Sequence, residues 1–161
     1  MHFKKSKPFR LTSLEAILPI EVGPAGDYVA ALKAEGLSAP SPIKLHALID
    51  TGFTGGLVVQ ADCIYPWKLK MRNYNEVHLP RDHGPKFYRS YAWEADLAVR
   101  FLGAAKGSSN VEVDPIPATL LELADEGFQA IIGLEVLQAA VFVYNGPTDS
   151  FILEFSNKFA V

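Results

Sequence analysis

The chain has 161 residues, of which 49% are hydrophobic and 20% charged, which is typical of one ordinary globular domain with its own core. Its formal net charge of -3 at pH 7 offers no electrostatic basis for binding nucleic acid or an anionic membrane. The only cysteine, Cys63, excludes an intramolecular disulfide, and no apolar run is long enough to cross a bilayer. We therefore expect a soluble cytoplasmic protein that binds neither nucleic acid nor membranes.

Short runs of alternating or continuous apolar residues dominate the chain after a basic start, which is interpreted as a frayed tail within residues 1–12. In chain order, these runs predict strands over residues 14–22, 43–49, 57–59, 77–79, 91–101, 111–123, 141–144 and 151–155, and a compact buried run over 130–133. Short helical segments are predicted over residues 27–35, 60–67 and 134–140. Prolines place some strands at sheet edges, namely Pro19 in the first strand and Pro115 and Pro117 in the sixth.

The clearest periodic signal lies between residues 91 and 101, where apolar or aromatic residues occupy every odd position. This period of two predicts a long strand with one buried face. The polar turn at 81–85 joins it to the strand before it, so the two form a predicted β-hairpin. Tyr88, Tyr91 and Trp93 could either line a peptide cleft or pack on the sheet face. The whole pattern predicts a mainly-β domain over residues 1–161, a barrel or a sandwich.

One carboxylate stands where chemistry is expected, at the junction of two apolar strands. Asp50 ends the strand 43–49 and is followed by Thr51 and Gly52. Burying a carboxylate beside apolar residues is costly unless it is hydrogen-bonded or functional. Glycine lets the backbone turn tightly and brings its N–H close to the carboxylate. An aspartate that merely caps its own turn has the same local sequence, so both interpretations remain open at this point.

The wider context of this junction resembles a known family. Asp-Thr-Gly between two apolar strands, followed much later by Ile131-Ile132-Gly133 and a short helix, resembles retropepsin-like aspartic proteases. The closing segments 141–147 and 151–155 are similar to the end of the single-lobed bacterial members of that clan. The resemblance implies a closed β-barrel that forms one lobe, with one or two short helices.

The resemblance also implies roles for individual residues. Asp50 would be the catalytic carboxylate, Thr51 would hydrogen-bond across a subunit interface, and Gly52 would shape the loop. Ile132 and Gly133 would pack against that loop and hold its conformation. The flap that closes over a bound peptide would be the turn formed by Arg81, Asp82, His83, Gly84 and Pro85.

A single Asp-Thr-Gly motif makes a second copy of the chain necessary for this chemistry. Peptide hydrolysis by this route uses two carboxylates that share one proton. The chain contains no second Asp-Thr-Gly or Asp-Ser-Gly, so the other carboxylate has to come from another molecule. A twofold homodimer would place Asp50 opposite its own copy. The expected activity is that of an aspartic endopeptidase on peptide or protein substrates, with no cofactor and no metal.

Two departures from the family pattern leave other functions open. Phe53 follows the glycine where many retropepsins carry alanine, and the turn 81–85 is bulkier than a glycine-rich flap tip. The alternatives are a non-catalytic module of the same fold that serves dimerisation or peptide binding, and an unrelated small barrel. His78 and His83 flank the turn without a third ligand at convincing spacing, so no metal site is predicted.

Overall fold

The computed structural model describes residues 9–10, 15–80, 87–102, 110–123 and 127–155. The strands are β1 (Phe9–Arg10), β2 (Ile17–Pro24), β3 (Ile43–Ile49), β4 (Leu57–Gln60), β5 (Tyr74–Pro80), β6 (Phe87–Phe101), β7 (Val111–Leu121), β8 (Ala130–Ile132), β9 (Ala140–Asn145) and β10 (Ser150–Phe155). The helices are α1 (Gly26–Ala34), α2 (Ala61–Ile64) and α3 (Leu134–Leu137), with 3-10 turns at Tyr65–Trp67 and Gly146–Thr148. All three predicted helical segments are confirmed, and Phe9–Arg10 of the predicted tail form a strand.

Six strands close into a barrel in the order β2-β3-β8-β4-β7-β6, and β6 pairs with β2 to complete it. The barrel is mixed, because β8 is parallel to β3 and β7 is parallel to β4. β5 continues the sheet beyond β6 as an antiparallel hairpin, and a separate sheet has the order β1-β10-β9. The predicted mainly-β fold with a closed barrel is therefore confirmed. No helix in the described ranges has the length and apolar character needed to cross a membrane.

Alternate residues of the barrel strands fill one core. Ile20 and Val22 of β2 and Leu97 of β6 are fully buried, and each such side chain contributes about 1.5–3 kcal/mol relative to an exposed one. The second sheet joins the same core through Phe151 and through Phe155, whose ring centroid lies 4.5 Å from that of Phe101. The small sheet is thereby fixed to the barrel by its apolar face.

The long strand β6 follows its predicted alternation only from Ala95 onward. Ala95, Leu97 and Val99 are buried as expected. Tyr91 and Trp93 continue the alternation but are 56% and 42% exposed, so the buried face predicted for this strand does not extend to them. The buried side chain in this stretch is that of Ala92, which lies between them, although Trp93 is still in register with Leu120 of β7.

The prolines show how one-sided pairing accommodates a residue without an N–H. β7 pairs with β4 only from Ala118 onward, so Pro115 and Pro117 lie in a stretch paired on one side, as predicted. The edge prediction for the strand containing Pro19 is wrong, because β2 lies between β3 and β6. Pro19 is tolerated there since the pairing of β2 with β6 begins one residue later, at Ile20.

Candidate active site

The candidate site lies at the end of the barrel where β3, β8 and β4 meet. β8 lies between the other two strands, and Ile132 is in register with Ile49 on one side and Leu57 on the other. Because β8 is parallel to β3, the residues after both strands emerge at the same edge. The N–H of Asp50 donates to the carbonyl oxygen of Ile132 at 3.0 Å, which ties the end of β3 to β8.

The turn after β3 is organised around the Asp50 carboxylate. The N–H of Gly52 donates to Asp50 Oδ1 at 2.8 Å, which confirms the close contact expected from the glycine. A Cβ at position 52 would lie 3.2 Å from the same oxygen, so a larger residue would crowd the carboxylate. Asp50 is half-buried, whereas Thr51 and Gly52 are exposed. The carboxylate is thus held in a fixed orientation at the surface end of an apolar strand.

The Asp50 loop packs directly against Gly133. A Cβ there would lie 2.8 Å from the carbonyl oxygen of Phe53 and would also overlap the carbonyl oxygen of Gly55 and the Phe53 ring. The N–H of Gly133 donates to the carbonyl oxygen of Gly56 at 2.8 Å. Only glycine therefore fits at this position, and the structure brings it and the buried Ile132 against the Asp50 loop.

The first turn of α3 is capped by the same loop. The N–H of Leu134 donates to the carbonyl oxygen of Phe53 at 2.9 Å, and the N–H of Glu135 donates to that of Gly55 at 3.2 Å. The first N–H groups of a helix have no partner within the helix, so these bonds satisfy donors that would otherwise be open. The loop and α3 consequently stabilise one another.

Phe53 has a structural role that its sequence position did not reveal. Its ring packs over Gly55 and Gly133, at both of which a Cβ would collide with it. The side chain is half-buried. Gly55 is a structural position that sequence reasoning missed, because its role depends on the Phe53 ring that packs against it.

Among the described residues, no side chain forms a hydrogen bond or an ion pair with Asp50, and its Oδ2 has no hydrogen-bond partner. The Glu135 carboxylate also approaches the loop, where its Oε2 would lie 3.1 Å from a Cβ at Gly56. No group of three His, Cys, Asp or Glu side chains in that part of the chain could hold a metal ion. One copy of the chain therefore presents one oriented carboxylate with an open oxygen.

Comparison with known proteins does not assign this arrangement to a family. No protein-family model matches the chain, and neither does any curated protein or solved structure. The interpretation of the site accordingly depends on the geometry of the Asp50 loop and on its packing against Gly133.

The predicted flap can be followed only through its flanking strands. Arg81, Asp82, His83, Gly84 and Pro85 lie outside the described residues. β5 and β6 pair from Tyr74 with Trp93 to Pro80 with Phe87, so the predicted hairpin is confirmed. The flap role of its turn stays a prediction.

An aromatic cluster of Tyr74, Tyr91 and Trp93 lies at the base of this hairpin. The rings of Tyr74 and Tyr91 stack with centroids 5.5 Å apart, and those of Tyr74 and Trp93 lie 4.7 Å apart. All three side chains are exposed, Tyr74 on β5 and the other two on β6. Sequence reasoning singled out Tyr91 and Trp93 but missed Tyr74, whose contribution depends on cross-strand pairing.

Cys63 is unsuited to act as a nucleophile. Burial, and secondly the neighbouring Asp62 carboxylate, raise the pKa of its thiol above the ordinary value. A raised thiol pKa lowers the thiolate fraction at neutral pH, and the thiolate is the reactive form. The side chain is half-buried on the short helix α2, and it packs against the core.

Proposed function

We propose that this chain is one half of a retropepsin-like aspartic endopeptidase, in which two copies each contribute Asp50 to a shared active site. The observation that carries the proposal is the meeting of two motifs far apart in sequence. The Gly52 N–H orients the Asp50 carboxylate, and the Asp50 loop packs against Gly133 at the end of β8. An aspartate that only stabilises its own turn would not need β8 and Gly133 to pack against that turn.

The chemistry follows from two such carboxylates sharing one proton. The ionised carboxylate accepts a proton from a water molecule, which attacks the peptide carbonyl carbon. The protonated carboxylate donates a hydrogen bond to the carbonyl oxygen and so polarises the bond. The C–N bond then breaks, and the proton taken from water passes to the leaving amine. The open Oδ2 of Asp50 supports this role, because it can face both the water and the second carboxylate.

The exposed residues beside Asp50 support assembly around a twofold axis. Thr51 is exposed, and its hydroxyl forms no hydrogen bond with the described residues. It is thus available to bond across an interface, as the proposed dimer requires. The aromatic cluster supplies exposed ring faces on the hairpin that would approach a peptide substrate.

Replacing Asp50 tests the proposal directly. Asp50→Asn keeps the size and the hydrogen-bond acceptor but removes the ionised form, so we expect cleavage of a mixed peptide library to fall by about 10²–10⁴-fold. Circular dichroism and sedimentation velocity should show an unchanged fold and dimer. Asp149→Asn is the matched control, because Asp149 is exposed and its left-handed conformation (φ 46°) suits asparagine. Wild-type cleavage rates in the Asp50→Asn variant would disprove the catalytic assignment.

A second candidate function is peptide binding without turnover. The aromatic cluster favours it, because exposed stacked rings offer a contact surface that needs no catalytic carboxylate. In that case the wild-type protein would bind peptides, measured by the change in tryptophan fluorescence, and would not cleave them. A statine-containing inhibitor of aspartic proteases would then have no effect on peptide binding.

A further inference from the structure

A cavity of about 530 Å³ lies on the outer surface of the barrel, beside the start of α1. Asp96 lines it, and the residues on either side of Asp96, Ala95 and Leu97, are buried in the core. None of the described lining residues belongs to the Asp50 loop. They come from three separate parts of the chain: Ala25, Asp27 and Tyr28 near the start of α1, residues 69–73 before β5, and Asp96 and Pro115 on β6 and β7. Sites for small molecules measure roughly 300–1,000 Å³, so the cavity is large enough for one.

Hydrogen bonds between distant parts of the chain fix the walls of this cavity. Both Asp114 carboxylate oxygens accept the Gly26 N–H at 3.0 Å, which holds the first turn of α1 against β7. In the segment before β5, the Arg72 N–H donates to the carbonyl oxygen of Glu94 at 2.8 Å, and the Glu94 N–H donates to that of Asn73 at 2.9 Å. Because these walls are already ordered, a ligand loses little affinity to ordering them.

Part of the lining is apolar and continuous with the core. Leu69 and Ala25 are buried, and Met71 and Tyr28 are partly buried and pack against the core. Covering these residues with an apolar ligand group removes apolar surface from water, which favours binding. The cavity is therefore suited to a ligand with an apolar part, and not to a bare ion.

Charged side chains of both signs complete the lining. Lys70 and Asp27 are exposed, and within the described ranges neither side chain forms a hydrogen bond or an ion pair. Arg72 Nη1 donates to Asp96 Oδ1 at 2.7 Å, which leaves most of the guanidinium N–H groups without a partner in that part of the chain. The cavity thus offers open donors for an anionic group and an open carboxylate for a cationic one.

We propose that this cavity binds a small zwitterion that carries an α-ammonium group, a carboxylate and an apolar side chain, as a short peptide or a free amino acid does. The ammonium group pairs with Asp27, and the carboxylate accepts from Lys70 and Arg72. The apolar side chain packs on Leu69 and Met71. Charge complementarity favours this ligand over a simple ion, because an anion or a cation alone would leave the opposite charge of the cavity unpaired. The site does not rest on the proposed catalytic function, since Asp50 takes no part in it.

Methyl NMR on the full chain tests the site. Met71 is one of two methionines in the sequence, so its methyl signal reports directly on the cavity. Titration with leucyl-phenylalanine should shift this signal to saturation. Acetylation of the peptide amine, or amidation of its carboxylate, should each raise Kd by about 10-fold, because each removes one charge-assisted contact at a partly exposed site. Free leucine and free phenylalanine, titrated in parallel, distinguish a site for single amino acids from a site for peptides.

Two substitutions assign the individual contacts. Asp27→Asn should raise the Kd of the free dipeptide by about 10-fold and leave that of the acetylated peptide unchanged, since the acetylated peptide has no ammonium group. Lys70→Gln should raise the Kd of the free dipeptide by about 3–10-fold and leave that of the amidated peptide unchanged. Lys33→Gln and Glu35→Gln are the matched controls, because both side chains are exposed in or next to α1 but do not line this cavity. Their Kd values should equal that of the wild-type protein.

Three results would overturn the site. The first is a Met71 methyl signal that does not move with dipeptide up to about 10 mM, a concentration at which a Kd of about 1 mM would be evident. The second is equal affinity for the free dipeptide and for either the doubly blocked peptide or inorganic phosphate, which would show that the two charges are not recognised together. The third is a loss of affinity in Asp27→Asn that persists with the acetylated peptide, because the substitution would then act through the fold and not through the ammonium group.

Discussion

Gly133→Ala probes the contact on which the candidate site depends. The added methyl group would lie 2.8 Å from the carbonyl oxygen of Phe53 and closer still to that of Gly55 and to the Phe53 ring. Backbone oxygens cannot rotate away as a flexible side chain would. The Asp50 loop would have to lift from β8, or β8 would have to shift within the barrel.

The expected cost is large for a single methyl group. Overpacking in well-packed sites costs about 1–3 kcal/mol, and two backbone contacts place this site near 3 kcal/mol. For a chain of this size, that loss lowers Tm by roughly 6–12 °C. Urea denaturation and thermal melts measure it without reference to catalysis. Gly146→Ala is the matched control, because a Cβ there meets only Tyr144 at an ordinary 3.4 Å, and its stability should not fall.

A double substitution sharpens the test. Phe53→Ala removes the ring but leaves both carbonyl oxygens in place, so Gly133→Ala should remain destabilising in that background. If Gly133→Ala unfolds with the same free energy as the wild-type protein, within about 0.5 kcal/mol, the loop does not rest on this glycine. The reasoning that joins the two motifs would then be refuted.

Two further predictions concern side chains away from the site. Because burial and Asp62 raise the pKa of Cys63, its thiol should react with a small disulfide reagent at pH 8 more slowly in the native state than in denaturant, and equal rates would contradict this. Arg100 bonds Glu21 at 2.9 Å and Glu112 at 3.1 Å on a partly exposed surface. Arg100→Met should therefore lower the free energy of unfolding by about 1 kcal/mol at low salt, and a loss unchanged at high salt would exclude an ionic origin.

Much of the fold could be predicted because strand periodicity is a local property. Short runs of alternating or continuous apolar residues located β3, β4, β9 and β10 within one or two residues. The failures occurred where burial depends on a distant neighbour. Tyr91 and Trp93 continue the apolar pattern of β6, yet both are exposed and Ala92 between them is buried. Pro19 suggested a sheet edge, yet the strand order of the closed barrel places β2 between two partners.

Some residues of the candidate site could likewise be predicted from the sequence, and others could not. Asp50, Thr51 and Gly52 were recognisable because their side chains and backbone freedom suit a carboxylate at a strand end, and the short hydrogen bond from Gly52 is confirmed. Gly55 and Tyr74 were missed because their roles depend on what packs against them. Gly55 lies beneath the Phe53 ring, and Tyr74 meets Trp93 only through the pairing of β5 with β6.

The sequence by itself determined the elements and their chemistry: a run of short strands, one carboxylate in a tight turn, and one Ile-Ile-Gly segment far along the chain. Only the tertiary structure decided that β8 lies between β3 and β4, which brings Gly133 beneath the Asp50 loop. The physical reason is the difference between interactions of residues near in sequence and interactions of residues far apart in sequence. Backbone conformation and alternation are set within a few residues, whereas strand order is set by which apolar faces can be buried together around a single core.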